Sequence, residues 1–347
     1  MTASDNSVLY QILITLALMY LLILAAPKLG LLDTPGGRKN HQGIIPTVGG
    51  IAIFISIVLT TYLLNTAILT RSLLLVAAIP FILGVIDDRI HLRPNLRLAL
   101  QYLCGILLAI YGGILIKDVG NILGVGHIPL LELAIPLTAL AAAGLSNAYN
   151  MIDGIDGLAG SLIALPIGIL WLLAVQAKHP MAPALLVVLI PVLVFLCFNL
   201  SPIPKLLPKV FLGDGGSITL GFIVTACLIY FSQGPNRLIQ PVTALWLVTL
   251  PLMDMLATML RRIKHNKHPM QADQSHVHHI LQHMGYSPKL SLMILLAYAI
   301  GCAVIGLALE HTTEYLSLGI YCLLFAAHCA GVIQAFKIDR VQQKANA

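Results

Sequence analysis

The chain has 347 residues, of which 58% are hydrophobic and only 10% are charged, and its formal net charge is +6. Soluble domains carry about 25% charged residues, so this composition excludes a soluble protein and predicts an all-α, polytopic integral membrane protein. In such a protein the basic residues report which loops are cytoplasmic, and they do not indicate a nucleic-acid partner.

Eleven segments are predicted to be transmembrane helices, because a span needs about 20 largely apolar residues. They are centred near 8–26, 47–66, 70–86, 97–116, 128–146, 158–176, 181–199, 216–232, 238–259, 290–309 and 315–336. No soluble domain, internal repeat or low-complexity region interrupts them, so residues 1–347 are predicted to form a single transmembrane domain.

Lysine and arginine are distributed unevenly between the two sets of connecting loops. Sixteen fall on one side, and only Arg71, Lys117, Lys178 and Arg237 fall on the other. This asymmetry predicts an outside N-terminus and a cytoplasmic C-terminus. Five polar loops, at 27–46, 87–96, 147–157, 200–215 and 260–289, then share the cytoplasmic side. The middles of the spans carry almost no charge, which favours an enzyme at that surface over a transporter for an anionic solute.

The first cytoplasmic loop contains a Pro-Gly-Gly turn followed by basic residues and a histidine. Arg38, Lys39 and His41 are suited to phosphate contacts. Anchoring by positive charge on the inner side explains the arginine and the lysine equally well, but it does not explain the histidine.

The second cytoplasmic loop begins with the adjacent carboxylates Asp87 and Asp88 at the end of the third span. Like charges at a low-dielectric boundary repel each other and are costly to place without a cation. A divalent metal or a metal–phosphate complex is the natural partner. The alternative is a pair of solvated turn residues.

The third cytoplasmic loop reads Asn147-Ala-Tyr-Asn150-Met-Ile-Asp153-Gly-Ile-Asp156-Gly157. The spacing of three residues predicts that a helical turn or a tight loop gathers the four polar side chains on one side. Asp-Gly pairs are also common turn formers. Four regularly spaced oxygen-bearing side chains at a membrane boundary nevertheless favour a functional site.

The fourth cytoplasmic loop ends Phe211-Leu-Gly-Asp214-Gly-Gly-Ser217 before the eighth span. Glycines around an aspartate let the backbone approach a ligand closely. Asp214 is a candidate Mg²⁺ ligand, because Mg²⁺ prefers one or two carboxylates together with phosphate oxygens. Phe211 is a candidate to stack on a base. By itself the motif also fits an ordinary turn.

The last cytoplasmic loop is rich in basic residues and histidines. A structural zinc site normally has four ligands, and this loop contains no cysteine. The basic residues and histidines are therefore interpreted as hydrogen-bond donors to an anionic substrate and not as zinc ligands. Asp273 or Ser275 is predicted to cap a helix on which His276 and His279 share a face. Asp254, near the end of the ninth span, is predicted to pair with the cluster. The candidate substrate-binding residues of this loop are Arg261, Arg262, His276, His278 and His279.

Taken together, the paired aspartates, the Asn-x-x-Asn-x-x-Asp-Gly-x-Asp-Gly stretch, Phe-Leu-Gly-Asp and the His-Val-His-His block resemble the polyprenyl-phosphate N-acetylhexosamine-1-phosphate transferases. The resemblance covers nearly the whole chain. It is strongest to the bacterial branch that transfers N-acetylglucosamine 1-phosphate. The peptidoglycan-precursor branch, which transfers phospho-N-acetylmuramoyl-pentapeptide, typically shows three consecutive histidines, and Val277 interrupts that run here.

The resemblance implies that UDP-N-acetylglucosamine and undecaprenyl phosphate react with Mg²⁺, replaceable by Mn²⁺, at the cytoplasmic face of a bacterial inner membrane. The product would begin a cell-envelope glycan. The sequence leaves open a direct transfer or a phospho-aspartyl intermediate, and a monomer or a homodimer. By position, the resemblance implies catalytic roles for Asp87, Asp88, Asp153 and Asp156 and a metal site at Asn150 and Asp214. It also implies that Phe211 and Asp156 contact the uridine, and that Lys39, His41, Asn147 and the basic and histidine residues of the last loop contact substrate.

Overall fold

The protein is built almost entirely from helices. The computed structural model describes residues 3–34, 43–63, 68–90, 92–234, 237–269 and 276–345. A two-stranded antiparallel ribbon, β1 (Leu32–Asp33) and β2 (Ile45–Pro46), flanks the first loop. Lys39, His41, Asp273 and Ser275 lie outside the described residues. The helices are α1 (Ala3–Leu29), α2 (Gly49–Leu63), α3 (Ile68–Ile90), α4 (Pro94–Ile110), α5 (Ala134–Ile152), α6 (Leu158–Gln176), α7 (Ala182–Leu200), α8 (Asp214–Ser232), α9 (Pro241–Leu247), α10 (Thr249–Lys264), α11 (Val277–His283), α12 (Pro288–Ala308) and α13 (Glu314–Ala345).

The helices confirm a polytopic, all-α membrane protein. Each of the eleven predicted segments coincides with one helix or, for 238–259, with α9 and α10, which meet at an angle of 81°. Seven of the described helices are long and apolar enough to cross a membrane, or eight if the bent pair is one span. Helices α2 and α4 are apolar but shorter, and the last turn of α3 contains the charged residues Asp87, Asp88 and Arg89. The number of crossings and the orientation therefore stay predictions.

Helix α8 forms the centre of the bundle. Of its membrane-length segment 94% is buried, against 17% for α1. It packs against α2, α3, α5 and α6, which accounts for its continuous apolar and small-residue sequence, since a helix covered on all sides has no polar face. The first turn of α8 consequently lies where several of the predicted cytoplasmic loops meet.

Glycines allow α2 and α3 to approach the first turn of α8 closely. A Cβ at Gly84 would lie 2.5 Å from the Cα of Gly215, and a Cβ at Gly50 would overlap the Cα of Gly216. The Gly50 N–H also donates to the Leu212 carbonyl at 2.9 Å. Because these contacts leave no room for side chains, the glycines fix the backbone beside Asp214.

Three of the predicted loops are shorter in the structure than the sequence indicates. Helix α5 continues to Ile152, α3 continues to Ile90, and α8 already begins at Asp214. Asp87, Asp88, Asn147, Asn150 and Asp214 are therefore helical residues. Rigid elements hold them more firmly than free loops would.

Candidate active site

Asp88 joins the end of α3 to the beginning of α8. Its Oδ1 accepts a hydrogen bond from the Asp214 N–H at 2.8 Å, and its Oδ2 accepts one from the Gly215 N–H at 3.1 Å. The first N–H groups of a helix have no partner within the helix and carry partial positive charge, so they stabilise a carboxylate. Asp88 thus sets the position of the Asp214 backbone.

Asp214 lies at the junction of three helices. Its Oδ1 accepts a hydrogen bond at 2.7 Å from Asn150 of α5, whose amide also donates to Ser217 at 3.0 Å. Its Oδ2 lies 3.6 Å from Nη1 of Arg97 of α4, and 38% of the Asp214 side chain is exposed. The carboxylate is therefore oriented by neighbours and still accessible to a ligand.

Asp87 has very different surroundings from Asp88, although the two are adjacent in sequence. Only 3% of its side chain is exposed, and its Oδ2 lies 2.6 Å from Nη1 of Arg97. Its Oδ1 accepts the Leu92 N–H at 2.6 Å. The predicted repulsion between the two aspartates is thus offset by Arg97 on one side and by the start of α8 on the other. The geometry makes Asp87 the anchor of Arg97.

The turn after α5 carries Asp153, whose side chain is exposed. Although it has accessible surface, the surrounding protein desolvates its carboxylate and, together with the negative charges of Asp214, Asp88 and Asp156, raises its pKa to about 7. The influence of those three carboxylates shows that the aspartates of separate motifs lie close together. The site carries an excess of negative charge.

Asn147 does not join that group. It is buried, and its amide donates to Gln101 of α4 and to the Ala143 carbonyl at 3.0 Å. Asn147 lies one helical turn before Asn150 and is bonded to Gln101 and not to the aspartates, so its predicted substrate contact stays a prediction. A buried amide needs hydrogen-bond partners, and Gln101 supplies one inside the bundle.

A second part of the site is formed by Asp156, Lys209 and Phe211. The Lys209 ammonium lies 2.6 Å from Oδ2 of Asp156 and 5.3 Å from the centre of the Phe211 ring, which is within the range of a cation–π contact. Lys209 was counted in the sequence only as a sign of orientation. Its position two residues before Phe211 was the signal that could have identified it.

The histidine segment (residues 276–283) is attached through Asp254 of α10. Asp254 accepts the Val277 N–H at 2.9 Å, and its other oxygen lies 2.7 Å from Nδ1 of His276. This contact confirms the predicted pairing of Asp254 with the basic cluster. The N-cap of α11 is His276, so the prediction that Asp273 or Ser275 caps this helix was wrong, and His276 lies just before the helix that was expected to carry it together with His279.

His278 brings the histidine segment to the aspartate turn. A Cβ added at Gly154 would overlap its ring, and it packs between His276, at 5.9 Å, and His279, at 4.2 Å between ring centres. His278 is 1% exposed, and neither ring nitrogen has a hydrogen-bond partner among the residues that the structure describes. Burial and, next, the charge of His279 lower its pKa to about 3, so the ring is neutral at physiological pH.

The two arginines of α10 differ in environment. Arg262 is 3% exposed and donates to the Pro269 carbonyl at 2.7 Å, while Arg261 is half-buried. Arg262 therefore holds the chain that leads to the histidine segment. Substrate contacts by either arginine stay a prediction.

The oxygen-bearing residues at the start of α8 suit a hard cation. Within the described ranges, no three His, Cys, Asp or Glu side chains converge into a complete metal site. Asp214 nevertheless offers an accessible carboxylate beside Asn150, and Mg²⁺ is usually held by one or two carboxylates together with substrate phosphates and water. The negative charges of Asp214, Asp88 and Asp156, which add to burial in raising the pKa of Asp153, also favour a cation. The residues therefore fit a metal that is bound jointly with a phosphate substrate.

Comparison with known proteins identifies relatives that align with most of the chain. Residues 70–232 match the model of Glycosyl transferase family 4. The chain is 31% identical over 341 residues to the undecaprenyl-phosphate alpha-N-acetylglucosaminyl 1-phosphate transferase of Yersinia pestis, which covers 97% of this chain and 93% of the relative. It is 33% identical to the proteins of the same name from Escherichia coli (strain K12), over 91% of this chain and 87% of the relative, and from Pasteurella multocida (strain Pm70), over 91% and 89%.

Proposed function

This chain belongs to glycosyl transferase family 4, and from that premise we propose that it transfers N-acetylglucosamine 1-phosphate from UDP-N-acetylglucosamine to undecaprenyl phosphate. The products are undecaprenyl-pyrophosphoryl-N-acetylglucosamine and UMP. The observation that carries the proposal is the junction at the start of α8, where Asp214 contacts Asn150 and Arg97 and is fixed by Asp88. The relatives that bear this name cover almost the entire chain.

The reaction is a phosphoryl transfer between two anions. An oxygen of the lipid phosphate attacks the β-phosphorus of the nucleotide sugar, the bond to the bridging oxygen breaks, and UMP leaves with that oxygen. The second pKa of a phosphate monoester is about 6, so the attacking oxygen is already largely deprotonated at neutral pH. The main task of the site is to offset the charge of the phosphates and to align them.

Asp214, with Asn150 beside it, would hold Mg²⁺, or Mn²⁺ as a substitute, at the phosphates. When bound, the cation would neutralise charge that develops on the transferred group. Arg97 lies 3.6 Å from Asp214 and contributes a fixed positive charge at the same place. Asp153 is exposed and can accept hydrogen bonds from a ligand when it is ionised.

Asp88 is proposed to act by position and not as a nucleophile. Both of its oxygens accept hydrogen bonds from the first turn of α8. Formation of a phospho-aspartyl intermediate would withdraw one of those oxygens and detach Asp214 from its support. This cost favours direct transfer from the nucleotide sugar to the lipid phosphate.

The donor is proposed to lie with its base at Phe211 and its polar groups near Asp156, Lys209 and the histidine segment. A partly accessible aromatic ring can stack on a base, and histidine rings can hydrogen-bond hydroxyl groups. Since the basic loops favour an inner location, we place this site at the cytoplasmic face of a bacterial inner membrane, where the product would enter a cell-envelope glycan.

The test uses purified protein in detergent with undecaprenyl phosphate and radiolabelled UDP-N-acetylglucosamine. Label should enter the lipid phase with Mg²⁺ and not with EDTA. Asp118→Asn is the control for Asp214→Asn, because it makes the same substitution away from the α8 junction. Asp118 lies in the 112–130 connection, where its backbone carbonyl accepts a hydrogen bond from Gln233. Transfer only with UDP-N-acetylmuramoyl-pentapeptide would reassign the chain to the peptidoglycan branch. Inactivity with every nucleotide sugar would refute the enzyme and favour the transporter for an anionic solute.

A further inference from the structure

A buried asparagine that the sequence did not single out connects two parts of the site. Asn199 lies in the last turn of α7 and is 7% exposed. Its Oδ1 accepts the Gly157 N–H at 2.6 Å, and its Nδ2 donates to the Val210 carbonyl at 2.8 Å. Both ends of one side-chain amide are thus used, and each holds the backbone of a different loop.

The two backbone groups are direct neighbours of the residues proposed to receive the donor. Gly157 follows Asp156, and Val210 lies between Lys209 and Phe211. The opposite side of the Phe211 segment is held by α2 and its preceding strand, because Phe211 donates to Pro46 at 2.8 Å and accepts from Gly49 at 3.0 Å. Asn199 supplies the matching support from α7.

We infer that Asn199 is a positioning residue that sets the separation of Asp156 and Phe211 for the base and ribose of the nucleotide donor. This inference rests on the proposed function. A planar base on Phe211 and a polar edge directed at Asp156 require the two loops to keep a fixed distance, and a displacement of about 1 Å is enough to weaken such a site severely. Because only the nucleotide donor is proposed to contact Phe211 and Asp156, binding of the lipid acceptor should not depend on this distance.

The chemistry of the amide explains why asparagine is needed at this position. Leucine has a similar size but leaves the Gly157 N–H and the Val210 carbonyl without the partner that they have now, and unsatisfied buried groups are costly. Aspartate keeps the acceptor for Gly157 but sets a carboxylate oxygen against the Val210 carbonyl. Both substitutions should move the loops apart.

The experiment compares Asn199→Leu and Asn199→Asp with Gln11→Leu. Gln11 of α1 is 2% exposed and donates to the Val187 carbonyl of the same α7 at 2.6 Å, twelve residues, or about 18 Å, along the helix from Asn199. Gln11 therefore provides a buried side-chain amide that is hydrogen-bonded to the same helix but lies away from the site. Steady-state kinetics are measured with each substrate varied, and thermal unfolding is recorded with and without UMP.

For both Asn199 variants the KM of UDP-N-acetylglucosamine should rise about 10-fold or more, while the KM of undecaprenyl phosphate stays within about twofold. UMP should raise the melting temperature of the native protein and of Gln11→Leu, and not that of Asn199→Leu. An equal loss of kcat with unchanged KM values, or the same donor effect in Gln11→Leu, would mean that Asn199 acts only through general stability and would overturn the inference.

The two proposals fail in different ways. If the native protein transfers the sugar phosphate and Asn199→Leu keeps a native donor KM, the inference is wrong and the function stands. If no transfer occurs but UMP stabilises the native protein and not Asn199→Leu, the reaction is wrong and the nucleotide-positioning role stands. If the native protein neither transfers the sugar phosphate nor responds to UMP, both are refuted.

Discussion

The start of α8 and the histidine segment both carry the polar residues of the site, yet the fold holds them in different ways. At α8, side chains from α3, α4 and α5 contact Asp214 or its backbone directly. The histidine segment contains the seven-residue helix α11, which is attached through the buried Asp254, packs with His278 on Gly154 and contacts α12 and α13. The comparison teaches that the polar side chains at α8 are fixed by contacts from several helices, whereas the start of the histidine segment is held at both its backbone and its His276 ring by the single carboxylate of Asp254.

The largest effect is expected for Asp214→Asn. The variant keeps an acceptor for the Asn150 amide but loses the charge that a divalent cation needs, so transfer should fall by about 10³-fold. The measurement is the initial rate of lipid labelling at saturating Mg²⁺. A rate within tenfold of the native protein would show that Asp214 is not central to the α8 region.

Asp254→Leu should disrupt the histidine segment while leaving the α8 junction intact. Loss of the carboxylate removes the contact to His276 and the acceptor for the Val277 N–H, so we expect a fall in kcat/KM of about 10²-fold. Asp254→Asn retains an acceptor, so its fall in kcat/KM should be about tenfold smaller. Equal losses in both variants would contradict a positioning role and indicate that the charge itself is required.

Gly154→Ala tests the contact between the two regions. The added methyl would overlap His278, so the histidine segment must shift and kcat/KM should fall about tenfold. The matched control is Gly144→Ala on the preceding helix α5, where the nearest atom to a Cβ is the Met255 methyl at an ordinary 3.9 Å. Similar activity in both variants would show that His278 moves aside without consequence.

The smallest effect concerns stability and pH. The pKa of Asp153 is raised to about 7 in the folded protein, so the folded state binds the proton more tightly than the unfolded state does. This contribution to stability is present below about pH 4 and is lost as the pH rises through 7. Asp153→Asn should therefore raise the melting temperature by a few degrees at pH 8 and leave it nearly unchanged at pH 4, measured without divalent cations. A shift of equal size at both pH values would contradict the raised pKa.

The helical membrane architecture and most candidate residues could be predicted because apolar length and motif spacing are local properties of the chain. The Asp254 partnership could also be predicted, since a carboxylate at the end of an apolar helix beside basic residues needs a counter-charge. The hydrogen bond of Asn147 could not be predicted, because its partner Gln101 lies on another helix. The ends of α3 and α5 were placed too early for the same reason: polar residues continue a helix when the neighbouring helices supply their partners.

The sequence by itself determined that this protein lies in a membrane and predicted which side chains carry its chemistry, since burial in lipid and phosphate chemistry each require particular residue types. Only the tertiary structure decided that Asp87 anchors Arg97 while Asp88 supports α8, and that Asn199 joins two loops of the site. Hydrogen bonds between residues far apart in the chain make these distinctions, and they exist only after the helices have packed.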